Sequence, residues 1–304
     1  MKTRILAVVT LYYPTPETEA NIRSYADAVD GLFLWDNTPP GAAAAPLPGI
    51  ADGEKIVRLR RGPNTGIGPA LNAAARFMLD NGYTHLLTMD QDSRFAPGTF
   101  APYAEAAARC TPDSGFLLFT PRRIHAAPPA QAAESPAAPG DAPGSDRPHE
   151  VPDTIVSGSL IPATTLRSLG LFRADFVMDA IDTEYCLRIH RHGGRIGLIE
   201  AGRLYHRLGS PYRKRFLFWT LTGYDYAPTR TYYIARNFLC LKRLYPEYDV
   251  RYIAKLFILR RAVRILCVER RKGAKLRALA LGLWQGLRGK TAPDLYQQAM
   301  NHPR

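Results

Sequence analysis

A chain of 304 residues with 46% hydrophobic composition holds enough apolar material for one large α/β domain and an appendage, which excludes a disordered or fibrous polypeptide. Forty Lys and Arg against 27 Asp and Glu leave a net charge of +13, which favours an anionic partner: a nucleotide, a phosphorylated lipid, nucleic acid or a membrane surface. The four cysteines form no CxxC pair, so no zinc site or disulfide framework is suggested; with no signal-peptide pattern and no apolar run of about 18 residues, the expected place is the cytoplasm.

The first element, Ile5 to Thr10, is a continuous apolar run of the kind that fills a buried parallel strand. Ile22, Tyr25, Ala26 and Val29 then recur at helical spacing, and Leu32 to Trp35 forms a second strand ending at Asp36. Lys55 to Leu59 is a third strand, Gly68 to Asn81 a helix, and His85 to Met89 a fourth strand that delivers Asp90, Gln91 and Asp92 to its C-terminal end. This alternation predicts an α/β fold with a mostly parallel, Rossmann-like sheet whose ligand site lies beyond the C-terminal strand ends.

Residues 125–150, almost wholly Ala, Pro, Gly, Ser, Asp and Glu, have too little to bury and are expected to form a surface loop. Strand-like Thr154 to Ile161 follows, then a helix near Ala163 to Ser168, a second from Asp182 to His192, and a strand over Ile196 to Ile199. From Arg251, the apolar stripe Tyr252, Leu256, Leu259, Val263 and Leu266 is interleaved with Arg and Lys, while Ile258, Ile265 and Val268 fall off it. The expected division is a catalytic domain over 1–245 and a basic helical appendage over 246–304.

Three clusters carry chemistry. Asp90-Gln-Asp92-Ser93 at a strand end offers hard oxygen ligands suited to Mg²⁺ or Mn²⁺, although Asp-x-Asp is also a common solvated turn. Asn64-x-Gly66-x-Gly68 between strand and helix suits close backbone approach to an anion, or simply a tight βα turn. Asp179-x-x-Asp182-x-Glu184 supplies a carboxylate able to accept a proton, here Asp182, or an acidic helix start. His206, before Gly209-Ser, is either a structural histidine or a further metal ligand.

The order Asp36-Asn37, Asn64-x-Gly66 to Asn72, Met89-Asp-Gln-Asp92-Ser93, Ser157-Gly158, Ile181-Asp182-x-Glu184-Tyr-Cys-Leu-Arg188, His206-x-x-Gly209 and Tyr232-Tyr233-x-x-Arg236-Asn237 resembles family 2 glycosyltransferases of the GT-A fold, and within them bacterial rhamnosyltransferases. The resemblance runs from Ile5 to about Tyr245. It implies a nucleotide-sugar donor, with Asp36 at the pyrimidine base, Asn64 and Gly66 in the nucleoside region, Asp90 on the ribose side, Asp92 and His206 on a divalent metal, and Asp182 as catalytic base. Gly158, Ser159, Glu184 and Arg188 are candidates for the acceptor side or for support.

The Asp-Gln-Asp-Ser and Tyr-Tyr-x-x-Arg-Asn segments point, by the same resemblance, to dTDP-L-rhamnose and a saccharide acceptor, plausibly lipid-linked, in surface polysaccharide or lipopolysaccharide assembly. Other nucleotide-sugar donors stay open. A nucleotidyltransferase would use similar carboxylates, but no Gly-rich, Lys/Arg-bearing triphosphate loop follows the first strand. A non-catalytic binder, favoured by net charge alone, leaves the carboxylate clusters unexplained, and nucleic acid is not an expected partner. The basic C-terminal helices could lie on an anionic membrane surface or pack on protein with their charges solvated.

Overall fold

The computed structural model describes residues 2–42, 55–124, 145–206, 211–216, 219–248 and 250–291. Two compact units are present, one of Met1–Phe172 with Arg188–Arg207 and the other of Arg173–Leu187 with Leu208–Arg304. Residues 173–187 and 208–245 therefore group with the C-terminal helices.

In the first unit, β1 (Ile5–Leu11), β2 (Gly31–Asp36), β3 (Ile56–Arg61) and β4 (His85–Asp90) form a parallel array in the order β3-β2-β1-β4. The chain moves outward through β2 and β3, then returns to the other side of β1, so a switch point falls between β1 and β4. Beyond β4 lie β8 (Ser159–Pro162), β6 (Phe116–Ile124), β9 (Arg195–His206) and β5 (Ser93–Phe95), with β7 (His149–Val151) also paired to β9. Among the described residues, β6 and β9 run with the first four strands and β5, β7 and β8 run against them, so the sheet is mostly parallel in direction.

The apolar run of β1 is buried on both faces because helices cover both. Ile5, Ala7, Val9 and Leu11 share a core with Ile22 and Tyr25 of α1 (Pro16–Ala26) and Phe100, Tyr103 and Ala107 of α3 (Phe100–Arg109). On the opposite face, α2 (Ile67–Asp80) packs on β1 and β4, burying Leu71, Ala74, Ala75 and Met78 at helical spacing. Burying each such Leu or Met side chain contributes about 1.5–3 kcal/mol.

Several sequence expectations shift. The strand expected over Thr154 to Ile161 is confined to Ser159–Pro162, because Gly158 turns the chain at φ +83° and Thr154 and Ser157 use their hydroxyls inside the fold. Of the loop expected over 125–150, residues 125–144 lie outside the described residues, while His149–Val151 adds to β9 as a strand. The strand expected over Ile196 to Ile199 runs on to His206. Helix α4 (Ala163–Leu169) and helix α5 (Ile181–Arg191) fall where expected.

The second unit holds the hairpin β10 (Pro211–Phe216) and β11 (Trp219–Tyr224) and three helices, α6 (Pro228–Leu244), α7 (Val250–Cys267) and α8 (Lys272–Leu287). Gly282 and Gly286 of α8 lie against the backbone of Tyr232 and Arg236 of α6, an approach that any larger side chain would block. Of the apolar stripe on α7, Leu259, Val263 and Leu266 are exposed, whereas Ile265, which falls off the stripe, is buried with Ile258 and Ala262 beside it. Side chains of 250–257, including Tyr252 and Leu256, lie outside the described residues. No helix among the described residues is long and apolar enough to cross a membrane.

Candidate active site

Register sets the site. Leu11 pairs with Asp36 and Thr10 with Asp90, so both carboxylates sit at the C-terminal edge of the parallel array, beside the switch point. Gln91 is fixed between its two acidic neighbours: its side chain accepts the Tyr12 N–H (2.7 Å) and donates to the Tyr12 carbonyl (2.9 Å), while Asn21 of α1 donates to its backbone oxygen (3.0 Å). The Asp-x-Asp segment is thus a braced structure, unlike a free solvated turn.

His206 arrives by strand pairing. The three-residue β5 begins at Ser93 and aligns antiparallel with the end of β9, placing Ser93 directly opposite His206. Their side chains meet at 2.7 Å, Ser93 Oγ to His206 Nδ1, and the Ser157 hydroxyl donates to Ser93 (2.8 Å) while accepting the Asp90 backbone N–H (2.9 Å). One hydroxyl chain therefore links the backbone of Asp90 to the ring of His206. Ser93 and Ser157 are fully buried. A hydrogen bond to one ring nitrogen is the usual device that orients a metal-bound imidazole.

Asp90, Asp92 and His206 can each place one ligand atom so that all lie within 4.8 Å of one another. Two carboxylate oxygens and an imidazole nitrogen suit a divalent ion that accepts oxygen and borderline nitrogen ligands, so the donor set fits the expected metal. Asp92 remains half-exposed and His206 mostly covered, which leaves the cluster open on the carboxylate side. Tyr25 is fully buried, with no hydrogen-bond partner for its hydroxyl among the described residues; burial first, and the Asp90 charge second, hold that phenol above its ordinary range and therefore neutral.

The nucleoside-side candidates occupy the same edge. Asp36 is buried, accepts the Thr38 N–H at 2.8 Å and lies 3.7 Å from Arg61. Asn64 accepts the Gly66 N–H (2.9 Å), and Gly66 adopts φ +86° at the start of α2, a conformation that favours glycine. Asn37, quoted only as part of a motif, holds this loop: its carbonyl accepts from Trp35 and Thr65, and its amide donates to the Gly66 oxygen (3.0 Å).

The other candidates have partners of their own. Gly158 donates to the Thr88 oxygen (2.8 Å) and accepts from Tyr103 (2.8 Å); a Cβ there would meet Pro121 and Leu204 below 3 Å. Ser159 is buried and donates to Ile155 (2.6 Å), and Arg188 donates to the carbonyls of Leu169 and Leu171. Gly209 lies outside the described residues.

Asp182 and Glu184 belong to the second unit. Asp182 is half-buried in the first turn of α5, where its carboxylate accepts the Thr183 N–H at 2.8 Å. Glu184 is buried and accepts from Tyr245 at 2.6 Å. The turn leading to Asp182 is strained: Val177, Asp179 and Ala180 all have positive φ, and Val177 centres a γ-turn in which Met178 N–H donates to the Phe176 oxygen (2.7 Å). Asn237 of α6 donates to the carbonyls of Phe176, Met178 and Asp179 at 2.8–2.9 Å, Arg236 donates to that of Asp175 (2.6 Å), and Arg230 forks onto the Asp179 carboxylate. Burial pushes the Asp179 carboxyl up, opposed by Arg230. The Arg-Asn pair of the Tyr-Tyr-x-x-Arg-Asn segment thus acts on the backbone ahead of Asp182.

No family model matches the chain. It is 24% identical over 258 residues to the dTDP-rhamnosyl transferase RfbF of Shigella flexneri, covering 81% of this chain and 83% of that protein. Among solved structures it is similar to GalNAc-T7 with UDP, GalNAc and Mn²⁺ (TM-score 0.56, 12% identity, 99% of this chain and 58% of that one). It is also similar to S. aureus TarS 1-349 in complex with UDP-GlcNAc (TM-score 0.54, 13% identity, 98% of this chain and 92% of that one). The chain thus spans less than two thirds of the GalNAc-T7 chain. It shares the GT-A fold of these two structures, and its sequence is similar to that of a sugar transferase.

Proposed function

We propose that this protein is an inverting glycosyltransferase that moves a sugar, with L-rhamnose from dTDP-L-rhamnose as the favoured donor, onto a hydroxyl of a saccharide acceptor in surface polysaccharide assembly. The observation that carries the transferase reading is the Asp90–Asp92–His206 cluster, braced by Gln91 and the Ser157–Ser93 chain at the switch point of a nucleotide-type sheet. The donor choice rests on the likeness to the Shigella flexneri protein.

In this reading Asp92 and His206 hold Mg²⁺ or Mn²⁺, and Asp90 faces the ribose side. The bound ion supplies positive charge to the departing diphosphate. Asp36 contacts the pyrimidine base, and Asn64 and Gly66 shape the nucleoside loop at the N-terminus of α2, where unpaired N–H groups favour an anion. Asp182 takes the proton of the acceptor hydroxyl as its oxygen bonds to the anomeric carbon; the carbon–oxygen bond to the diphosphate breaks in the same step, with inversion. General-base assistance of this kind contributes about 10²–10⁴ in rate. Gly158, Ser159, Glu184 and Arg188 serve as support.

The likeness to TarS with UDP-GlcNAc favours a second reading, the same chemistry with a UDP-sugar. A thermal-shift panel of dTDP-L-rhamnose, UDP-GlcNAc and UDP, each with and without Mn²⁺, separates them: a ligand at about 100 times its Kd stabilises by about 2.7 kcal/mol. Metal-dependent stabilisation by dTDP-L-rhamnose above the others supports the first reading, and a preference for the UDP ligands replaces it with the second. Asp182→Asn is expected to bind donor nearly normally and to lose turnover; a variant with near-normal rate removes Asp182 from the role.

A further inference from the structure

The net charge is unevenly distributed along the chain. Residues 250–291 contain twelve Lys and Arg and one acidic residue, so this stretch carries +11 of the total +13 and leaves +2 for the rest. The single acid, Glu269, is not on the surface: its side chain is fully buried, bonded to Arg261 and to Lys275, themselves only 3% exposed. Every other charge described on α7, on α8 and in the turn joining them is positive, and Arg260, Arg270, Arg271, Lys272, Arg277 and Arg288 are exposed.

Within this basic field lies an apolar stripe that the described residues leave exposed. Leu259, Val263 and Leu266 recur at i, i+4 and i+7 on α7 and are 63%, 45% and 54% exposed. The inward face of the same helix is already filled by Arg261 and Ile265, so the stripe is surplus to the packing of the described residues. Aliphatic side chains in a row, flanked by cations at Arg260 and at Arg270, Arg271 and Lys272, have the pattern that sinks into the interfacial region of a bilayer while the cations meet lipid phosphates.

We infer that the Leu259–Val263–Leu266 face of α7, with the Arg270-Arg271-Lys272 turn, docks on an anionic lipid surface. The charge pattern selects that occupant. A nucleic acid would meet cations but leave three large aliphatic side chains in water against a polar backbone. A second copy joined about a two-fold axis on this stripe would bring the two clusters of cations together without a surface acid to separate them. Anionic headgroups over hydrocarbon match both components.

The test is co-sedimentation of the full chain with vesicles of phosphatidylcholine alone and of phosphatidylcholine containing about one-third phosphatidylglycerol. Binding is expected on the anionic vesicles at least about tenfold above the neutral ones, and to weaken as salt is raised. Arg260→Gln/Arg270→Gln/Arg271→Gln should lower anionic binding by on the order of 100-fold, and Leu259→Ser/Leu266→Ser by about tenfold. All five positions are exposed, so circular dichroism and the melting temperature should stay close to the parent, and a variant that fails this check is replaced by Val263→Ser. Equal binding to both vesicle types, no binding to either, or unchanged binding by the triple variant overturns the inference. A sedimentation-velocity dimer that the Leu259→Ser/Leu266→Ser variant abolishes, with no vesicle binding, assigns the face to self-association instead.

Discussion

Asn237→Ala tests whether α6 holds the backbone that presents Asp182. Val177, Asp179 and Ala180 have φ of 64°, 58° and 63°, and a β-branched residue at positive φ is a true outlier. Each such residue costs about 1–3 kcal/mol, so the turn stores several kcal/mol that its surroundings must offset. Asn237 is fully buried and its two amide N–H groups are shared among three carbonyls of that turn; at about 1 kcal/mol net per neutral hydrogen bond, its loss removes about 2 kcal/mol and leaves buried acceptors unpaired.

The expected result is a fall of about 2–4 kcal/mol in unfolding free energy measured in urea. Amides of 177–181 should exchange faster, while those of β1 and β4 keep their protection. Because Asp182 follows Asp179 by three residues, kcat should fall at least about tenfold with the donor KM little changed, since the nucleoside candidates lie in the other unit. Asn237→Asp, which keeps the shape but loses the donors, should behave no better. A stability loss below about 0.5 kcal/mol with unaltered exchange at 177–181 refutes the clamp.

Three further outcomes are expected. Glu269→Gln leaves the buried Arg261 without its carboxylate and Lys275 with Asp225 alone, and should cost about 3–5 kcal/mol of stability in denaturant unfolding; a near-neutral result contradicts the buried pairing. Burial pulls His85 down to about 4 from 6.5, so as pH falls from about 6.5 to about 4 the unfolded chain takes up a proton that the folded one refuses. Stability should decline over that window by up to about 1.4 kcal/mol per pH unit from this group, and His85→Gln should show a shallower decline. Ser157→Ala interrupts the chain from Asp90 to His206 and should weaken Mn²⁺ binding, followed by titration calorimetry, about 10–100-fold; unchanged affinity shows that the hydroxyl chain does not orient the ring.

The parallel half of the first unit was legible because its strands are continuous apolar runs followed by helical spacing, a pattern that local sequence alone specifies. The Asp-Gln-Asp segment was legible as a strand end for the same reason. What remained hidden depends on pairing across long sequence separations. Nothing in Leu204-Tyr-His206 announces that β9 runs twelve residues, since Glu200 to Arg203 interrupts its apolar character, and Gly202 is tolerated because it lies against the ring of Tyr103. Ser157 stood out only within the Ser157-Gly158 motif and its role did not, because a serine that relays a hydrogen bond looks like a serine in a turn. On α7, periodicity offered two apolar faces; the buried one is marked by Arg261, a polar residue that an apolar pattern cannot select and that Glu269 holds inside.

The net charge, which at first suggested one general affinity for anions, separates into two chemistries. At the edge of the sheet Asp90, Asp92 and His206 converge, so a diphosphate placed against these carboxylates is repelled until a cation is bound, and nucleotide affinity at this cluster is expected to rise with metal. Between 250 and 291 Arg260, Arg270, Arg271, Lys272, Arg277 and Arg288 face outward while the one acid is buried with Arg261 and Lys275, so affinity for anions needs no metal and must instead fall with salt. A chelator and a salt titration therefore act on different surfaces: the first should abolish stabilisation by a nucleotide while leaving vesicle binding intact, and the second should release vesicles at ionic strengths where metal-dependent nucleotide binding persists. Loss of both under either treatment would mean that the two charge patterns serve a single site.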